Sequence, residues 1–342
     1  MEPIVSRMRC RFRALVSGIA LTALASSVST AHAQNCQTSG DLDDATRSAI
    51  TAAGQRYFDM AVKGDTATLR QNAIASLAAD FSVAETAVKD HEQDLAGAQA
   101  TVKSIFLLEA EGAAPLPHAE FYCGVFGKNG QTSGSAVFSL DNLPPGKYAV
   151  VNLDAASPQA RTNLSLILQQ LGTDWKLAGL YLKSAQVAGH DSDWFVARAR
   201  EFKTKGQLHN AWLFYLEARS LMSPLPFMST LATDKLYDES QALEPADLPA
   251  NGKTADLVAG TTTYKLTALF PAAVGSDLDL IVRYEATDVS NTIQANQSNL
   301  AVINAVVAKY PEIRDAFAAV VARAVDPSGR DFGTLLAMKD IK

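Results

Sequence analysis

Apolar positions along the first third of the chain recur at helical spacing. Over 41–63 they fall at Ile50, Ala53, Tyr57, Ala61 and Val62, behind Asp41, Asp43 and Asp44. Carboxylates at that end suit the positive pole of a helix dipole. Gly64 closes this helix, and Asp65 is placed to cap a second over 66–77. Residues 81–91 repeat the spacing with Val83, Ala87 and Val88, and 94–103 reads as a further helix or mixed segment. The period then shortens. Residues 104–110 form a short apolar run, 119–126 (AEFYCGVF) is rich in aromatics, and 135–140 alternates. Pro144-Pro145-Gly146 is a turn, after which 147–153 is strand-like. Two more strands, 164–170 and 175–183, flank Gly172-Thr173-Asp174. Helices first and a meander of strands after them predict an α+β domain over 37–188, with helices packed on one face of a curved antiparallel sheet.

The next stretch, 191–224, is two amphipathic helical patterns around Gly206. Asp191 or Ser192 caps the first, whose face carries Phe195, Ala199 and Phe202. The second presents Leu208, Ala211, Trp212, Tyr215, Ala218 and Leu221, and stops at Pro224. Small residues at Ala199, Ala211 and Ala218 permit close helix approach, with aromatics filling the seam. A Pro-punctuated stretch follows, with one short helix over 231–243, and Asn251-Gly252 marks a boundary. Beyond it, 261–269 and 278–287 alternate as strands, and 291–309 is helical. Pro311 kinks or restarts that helix, which is expected to continue over 312–324 with Ile313, Phe317, Val320 and Val321 buried. Asp326-Pro327-Ser328-Gly329 turns into a last strand over 332–338. The expected organisation is a segment 1–33, a helix-on-sheet domain 37–188, a helical hairpin with linker 189–250 and a small α+β domain 251–342.

Two stretches carry family resemblances. QRYFDMAVKGDTATLRQNAIASL at 55–77, the late hairpin SLILQQLGTDWKLAGLYLK at 165–183 and the helices-first order resemble the nuclear-transport-factor-2-like superfamily, which includes SnoaL-like proteins and ketosteroid isomerases. The resemblance covers about residues 40–185. It implies a cone-shaped fold with an apolar pocket between helices and sheet. Tyr57, Asp59, Tyr122, Tyr148 and Trp175 are the candidates to line such a pocket, with Asp154 a further polar group. The helical pair looks like a single tetratricopeptide unit: from Ala199, Phe202 lies at +3, Gly206 at +7, Leu208 at +9, Ala211 at +12, Tyr215 at +16 and Ala218 at +19. One such unit cannot bury its own apolar face. It is therefore expected to pack on a neighbour, most simply the first domain, as a connector. The sharper alternative makes it a groove for a partner protein, with Trp194, Trp212 and Tyr215 as contacts.

Composition narrows the setting. The 342 residues are 48% hydrophobic and 19% charged, the balance of a globular protein. The N-terminus departs from it: Arg7, Arg9, Arg11 and Arg13 precede an apolar run over 14–25, and Ala31-His32-Ala33 is an A-x-A cleavage site. This is the layout of a secretory signal, so a periplasmic or extracellular location is expected, with no membrane span after cleavage. Cleavage removes four Arg and one Glu and takes the net charge from −6 to −9. That charge argues against nucleic acid as a partner. It leaves two cysteines, Cys36 and Cys123, and an even pair in an oxidising compartment suggests a disulfide, two free thiols being the alternative.

Catalytic signatures are missing. None of His91, His118, His190 and His209 lies at metal-ligand spacing, so no metal site is expected. No nucleophile elbow, P-loop or dinucleotide fingerprint occurs, and no cofactor is expected. His190-Asp191-Ser192-Asp193 holds the residue types of a hydrolase triad, but neighbours on one turn serve better as a helix cap. Asp277 and Asp279 flank a leucine without the glycine and distal glutamate of a calcium loop. The sequence reads best as a non-catalytic binding or interaction protein of the bacterial envelope, taking a small apolar ligand or an envelope protein. The rival is an isomerase- or hydrolase-type enzyme using the cone. The oligomeric state is left open.

Overall fold

The computed structural model describes residues 34–128, 130–250 and 252–341. The expected export segment, 1–33, lies outside them. Strand β1 (Asn35–Thr38) leads into helix α1 (Asp44–Val62), capped by Asp43, whose carboxylate accepts the Thr46 N–H at 2.8 Å. Small residues let α1 sit close on the sheet. A Cβ added at Gly54 would lie 3.1 Å from Val151 Cγ1. Asp65 caps α2 (Thr66–Gln71) by accepting the Thr68 N–H at 3.0 Å. The single helix expected over 66–77 is broken. The backbone around Ala73 instead bonds to a strand: Ile74 N–H donates to Leu177 O at 2.8 Å, and Leu177 N–H to Asn72 O at 3.0 Å. Helices α3 (Ala75–Ala79), α4 (Ser82–Asp90) and α5 (Glu92–Leu95) follow.

The stretch 94–103, expected as helix or mixed, is mixed: the helical run ends at Gly97, φ +72°, and strand β2 (Gln99–Ala110) begins. Next come β3 (Leu116–Cys123), the two-residue strands β4 (Phe126–Gly127) and β5 (Gly130–Gln131), and β6 (Ala136–Leu143). They are followed by β7 (Gly146–Ala156), β8 (Arg161–Leu171) and β9 (Asp174–Ser184). A two-residue turn, Gly172-Thr173, joins β8 to β9. One antiparallel sheet has the order β1-β2-β7-β8-β9. Its helix side buries Ile105, Leu107, Val151, Leu166 and Leu177 against Ile50, Tyr57, Leu69 and Leu95.

The other side of this sheet is covered as well. Phe106, Leu108, Tyr148 and Val150 pack on Phe121 and Phe138 of a second sheet, in which β6 lies between β3 and a late strand over 228–230. The Phe106 and Phe138 rings meet edge to face at 5.2 Å. Asn152 pins the register between three strands. Its Nδ2 donates to Ser104 Oγ at 2.9 Å, and its Oδ1 accepts from Ser165 Oγ at 2.7 Å. Cys36 on β1 and Cys123 on β3 form a disulfide across the two sheets, with Cα atoms 4.9 Å apart.

Helices α6 (Ser192–Thr204) and α7 (Leu208–Met222) form the expected pair, capped by Asp191 and hinged at Gly206, φ +77°. Their seam does not face the first sheet. Phe195, Phe202, Trp212, Phe214 and Tyr215 share one core with the C-terminal part of the chain. Residues 223–230 then cross to the N-terminal part: Leu225 and Met228 enter the core behind the first sheet, and β10 (Met228–Thr230) pairs with β6. Helix α8 (Leu231–Gln241) returns, with Thr230 as its cap.

The C-terminal sheet has the order β11-β12-β13-β14-β15. Its strands are β11 (Ala255–Ala259), β12 (Thr262–Val274), β13 (Asp277–Glu285), β14 (Ala319–Val325) and β15 (Asp331–Ala337). Helix α9 (Thr292–Lys309), capped by Asn291, lies on one face. The helix expected over 312–324 is not formed. Pro311 opens a 3-10 turn (Pro311–Asp315), and the alternating β-branched run after it becomes β14, parallel to β13 in the middle of the sheet. Ile313, Phe317 and Val320 are buried as expected, while Val321 faces the opposite side and is only partly covered. Helices and largely antiparallel sheets together make the protein α+β.

Candidate functional site

The five residues assigned to a cone pocket are not brought together. Tyr57 and Trp175 sit in the core between α1–α5 and the first sheet, fully buried and 6% exposed. The Tyr57 hydroxyl donates to the carbonyls of Trp175 (3.0 Å) and Asn72 (3.1 Å), so its polar end closes the helix–sheet seam. Burial pushes its phenol pKa up. Asp59 points outward on α1 and accepts from Gln55 Nε2 at 2.9 Å. Tyr148 belongs to the core on the other side of the sheet and donates to Pro144 O at 2.9 Å. Tyr122 is 56% exposed on the outer face of β3. Asp154, on β7, is exposed and ion-paired with Lys103 at 3.4 Å. Surface hollows among the described residues include two. One is lined by Gln55, Arg56, Asp59, Lys63 and Thr68, the other by Cys36, Thr38, Asp41, Gly124 and Ser133.

The residues assigned to partner binding have partners within the chain. Trp212 and Tyr215 are buried in the C-terminal core. The Tyr215 hydroxyl donates to Glu239 Oε1 at 2.6 Å, and Arg200 holds the same carboxylate with two bonds of 2.9 and 2.7 Å. The Arg200 bonds hold the Glu239 carboxyl down to about 2, and burial followed by the Glu239 bond raises Tyr215 to about 12. Trp194 is half-buried and stacks on His190 at 3.7 Å. Asp191 accepts the Trp194 N–H at 3.0 Å, so the His190-Asp191-Ser192-Asp193 stretch is a helix start.

Sequence reasoning passed over one cluster of chemically active groups. On the outer face of the β3–β6 hairpin, His118 Nδ1 bonds Asp141 Oδ1 at 2.7 Å, and Ser139 Oγ lies 3.5 Å from His118 Nε2. Glu120 Oε1 is 3.8 Å from that same Nε2 and accepts the Tyr122 hydroxyl through Oε2 at 2.8 Å. The Asp141 bond raises the His118 pKa. The alternation of 116–123 puts His118, Glu120 and Tyr122 on one side. Which residues of 136–143 oppose them depends on a register across a long loop, and no local signal carries that. The order serine, imidazole, carboxylate is that of a hydrolytic relay. Here it lies open on a sheet face: the His118 and Asp141 side chains are 56% and 75% exposed, and neither surface hollow includes them.

Among the described residues no cluster of His, Cys, Asp and Glu can hold a metal ion, and no helix is long and apolar enough to cross a membrane. The site residues therefore define an α+β protein with an internal disulfide and filled cores. The chain matches no family model, no curated protein and no solved structure.

Proposed function

We propose that the protein is an exported, non-catalytic binding protein of the cell envelope that engages a protein partner through its outer surface. The observation that carries this is the filled space between α1–α5 and the first sheet. Tyr57, Leu69, Leu95 and Trp175 occupy it, and the Tyr57 hydroxyl is used by backbone carbonyls. A binding or catalytic pocket needs convergent polar groups around an opening. Export is supported by the Cys36–Cys123 disulfide, which suits an oxidising compartment. The nuclear-transport-factor-2-like reading of 40–185 is supported by five successive helices lying on one face of an antiparallel sheet. The second sheet on the back of it is a departure from a plain cone. The tetratricopeptide-like reading of 191–224 is supported by the α6–α7 pair and its Gly206 hinge.

Native mass spectrometry of protein purified from its own envelope tests the reading. A co-purifying protein is the expected result. A stoichiometric small apolar ligand would overturn surface engagement and restore an internal pocket. The hydrolase reading draws on the Asp141–His118–Ser139 chain. It requires that Ser139→Ala abolish turnover of an activated ester. The expected outcome is background hydrolysis, unchanged by the substitution.

A further inference from the structure

The two ends of the Cys36–Cys123 disulfide have different surroundings. Cys123 is 0% exposed and belongs to the core that Ala119, Phe121, Ala136 and Phe138 form behind the first sheet. Cys36 sits on β1, an edge strand paired within its sheet to β2 alone, and is only partly covered. It lines a surface hollow of about 450 Å³, together with Thr38, Asp41, Gly124, Val125 and Ser133. Backbone shapes that hollow. Gly124, at φ +86°, lets the chain after β3 run against the end of β1: a Cβ there would lie 3.2 Å from Ser135 Cα and 3.3 Å from Thr38 Cγ2. Val125, beside it, is 75% exposed. One residue of the disulfide thus stands at an opening and the other in a closed core.

The hollow also has a sign. Asp41 is the one charged residue lining it among the described residues. Its Oδ2 accepts from the Thr38 hydroxyl at 2.6 Å and from the Thr38 N–H at 2.9 Å. Those bonds, the hydroxyl's first, hold the Asp41 carboxyl below the usual carboxylate range, so the opening is negative at neutral pH.

We propose that Cys36 is a thiol-exchange site, at which a small thiol entering through this hollow forms a mixed disulfide while Cys123 serves as the buried partner that re-closes the bond. The incoming thiolate uses its own electron pair to bond Cys36 Sγ. The Cys36–Cys123 bond breaks, and its pair goes to Cys123 Sγ, which takes up one proton. The incoming sulfur is oxidised from thiol to disulfide, Cys123 is reduced from disulfide to thiol, and Cys36 keeps its oxidation state. In the mixed form the covalent link between the two sheets is open. Attack in the opposite sense would require the thiol inside a packed core. A thiolate among apolar side chains is poorly solvated, so Cys123 either protonates or attacks Cys36 again and expels the thiol. The negative opening favours a cationic thiol over an anionic one. The exchange site stands independently of the proposed binding role.

Exchange on the folded wild-type chain tests the proposal. The protein is incubated at low ionic strength with excess cystamine and a little cysteamine as the attacking thiol, quenched with acid at intervals and mapped by peptide mass spectrometry. The expected product carries cysteamine on Cys36 and a free thiol at Cys123, in about tenfold or greater excess over the reverse isomer. In urea, with both cysteines exposed, the two isomers should form in about equal amounts. Replacing the couple by 3-mercaptopropionate and its disulfide should slow labelling of the folded chain about threefold or more, relative to the unfolded chain. Asp41→Asn, which keeps an acceptor for Thr38, should remove most of that difference. Label on Cys123, equal labelling in the folded chain, or a folded chain that takes no label while the unfolded one does, each overturns the site. Labelling of Cys36 at a rate indifferent to the charge of the thiol overturns the assigned thiol class.

Discussion

The two five-stranded sheets of this protein end differently at their surfaces. The N-terminal sheet is covered on both sides, by α1–α5 and by the β3-β6-β10 layer. The C-terminal sheet is covered on one. The sequence records the contrast. In β7 six successive residues from Tyr148 to Leu153 are buried, as in a strand enclosed on both faces. In β15 exposed and half-buried residues alternate from Asp331 to Leu336. Complete coverage leaves the N-terminal sheet no inner surface to offer a ligand. One-sided coverage leaves the C-terminal sheet a face open to water at Leu335.

The contrast breaks if the back layer of the N-terminal sheet proves dispensable. Replacing Cys36 and Cys123 together by serine should destabilise the protein by about 4–5 kcal/mol, since the bond closes a loop with a sequence separation of 87. Chemical denaturation of the two forms measures this. Phe138→Ala, fully buried between the sheets, should cost roughly 3–5 kcal/mol, as should Trp212→Ala in the α7 seam. A melting change under about 1 °C in either would mean that its layer is not packed as described.

A third prediction concerns the junction between the two halves. Lys183, at the end of β9, donates to the Ser220 and Ser223 carbonyls at the end of α7, and Glu217 lies nearby. Burial, opposed by the Lys183 charge, raises the Glu217 carboxyl from its ordinary 4.5 to about 7. The folded state therefore holds this proton more tightly than the unfolded chain. The Glu217 contribution to stability is best below pH 4.5 and declines as pH rises towards 7. Glu217→Gln should stabilise the protein by about 2 kcal/mol at pH 8 and leave it unchanged at pH 4, as read by melting curves at the two values. The smallest effect belongs to the open face. Leu335→Ala should cost under about 1 kcal/mol in dilute solution, because half the side chain already meets water.

What the sequence disclosed follows the range of the interaction involved. Asp43, Asp65, Asp191 and Asn291 bond to backbone N–H groups three residues on, and each helix start was legible. The turn at Gly172 was legible because it too is local. Strand β14 was not. Its run AVVARAV satisfies both periods, and only pairing with β13, some forty positions earlier, decides for strand. The three-residue β10 and five-residue β11 carry too little pattern to be seen alone. The neighbour of the helical seam was misplaced because small and aromatic residues specify a tight contact without naming its partner. The candidate pocket failed on sheet sidedness. Tyr148 and Trp175 sit on strands of one sheet yet enter cores on opposite sides of it.

The crossing segment 223–230 sets an order of events. A chain made from its N-terminus completes β1 to β9, with Phe106, Leu108 and Val150 covered by Phe121 and Phe138 alone, before Leu225 and Met228 exist to finish that core. The front half of the molecule thus spends an interval of its synthesis as an adhesive intermediate, open to unwanted association. A fragment cut at residue 188 would be held there permanently. No single cut separates the halves cleanly, because α6 and α7 share a core with the C-terminal sheet while 223–230 completes the core behind the N-terminal one.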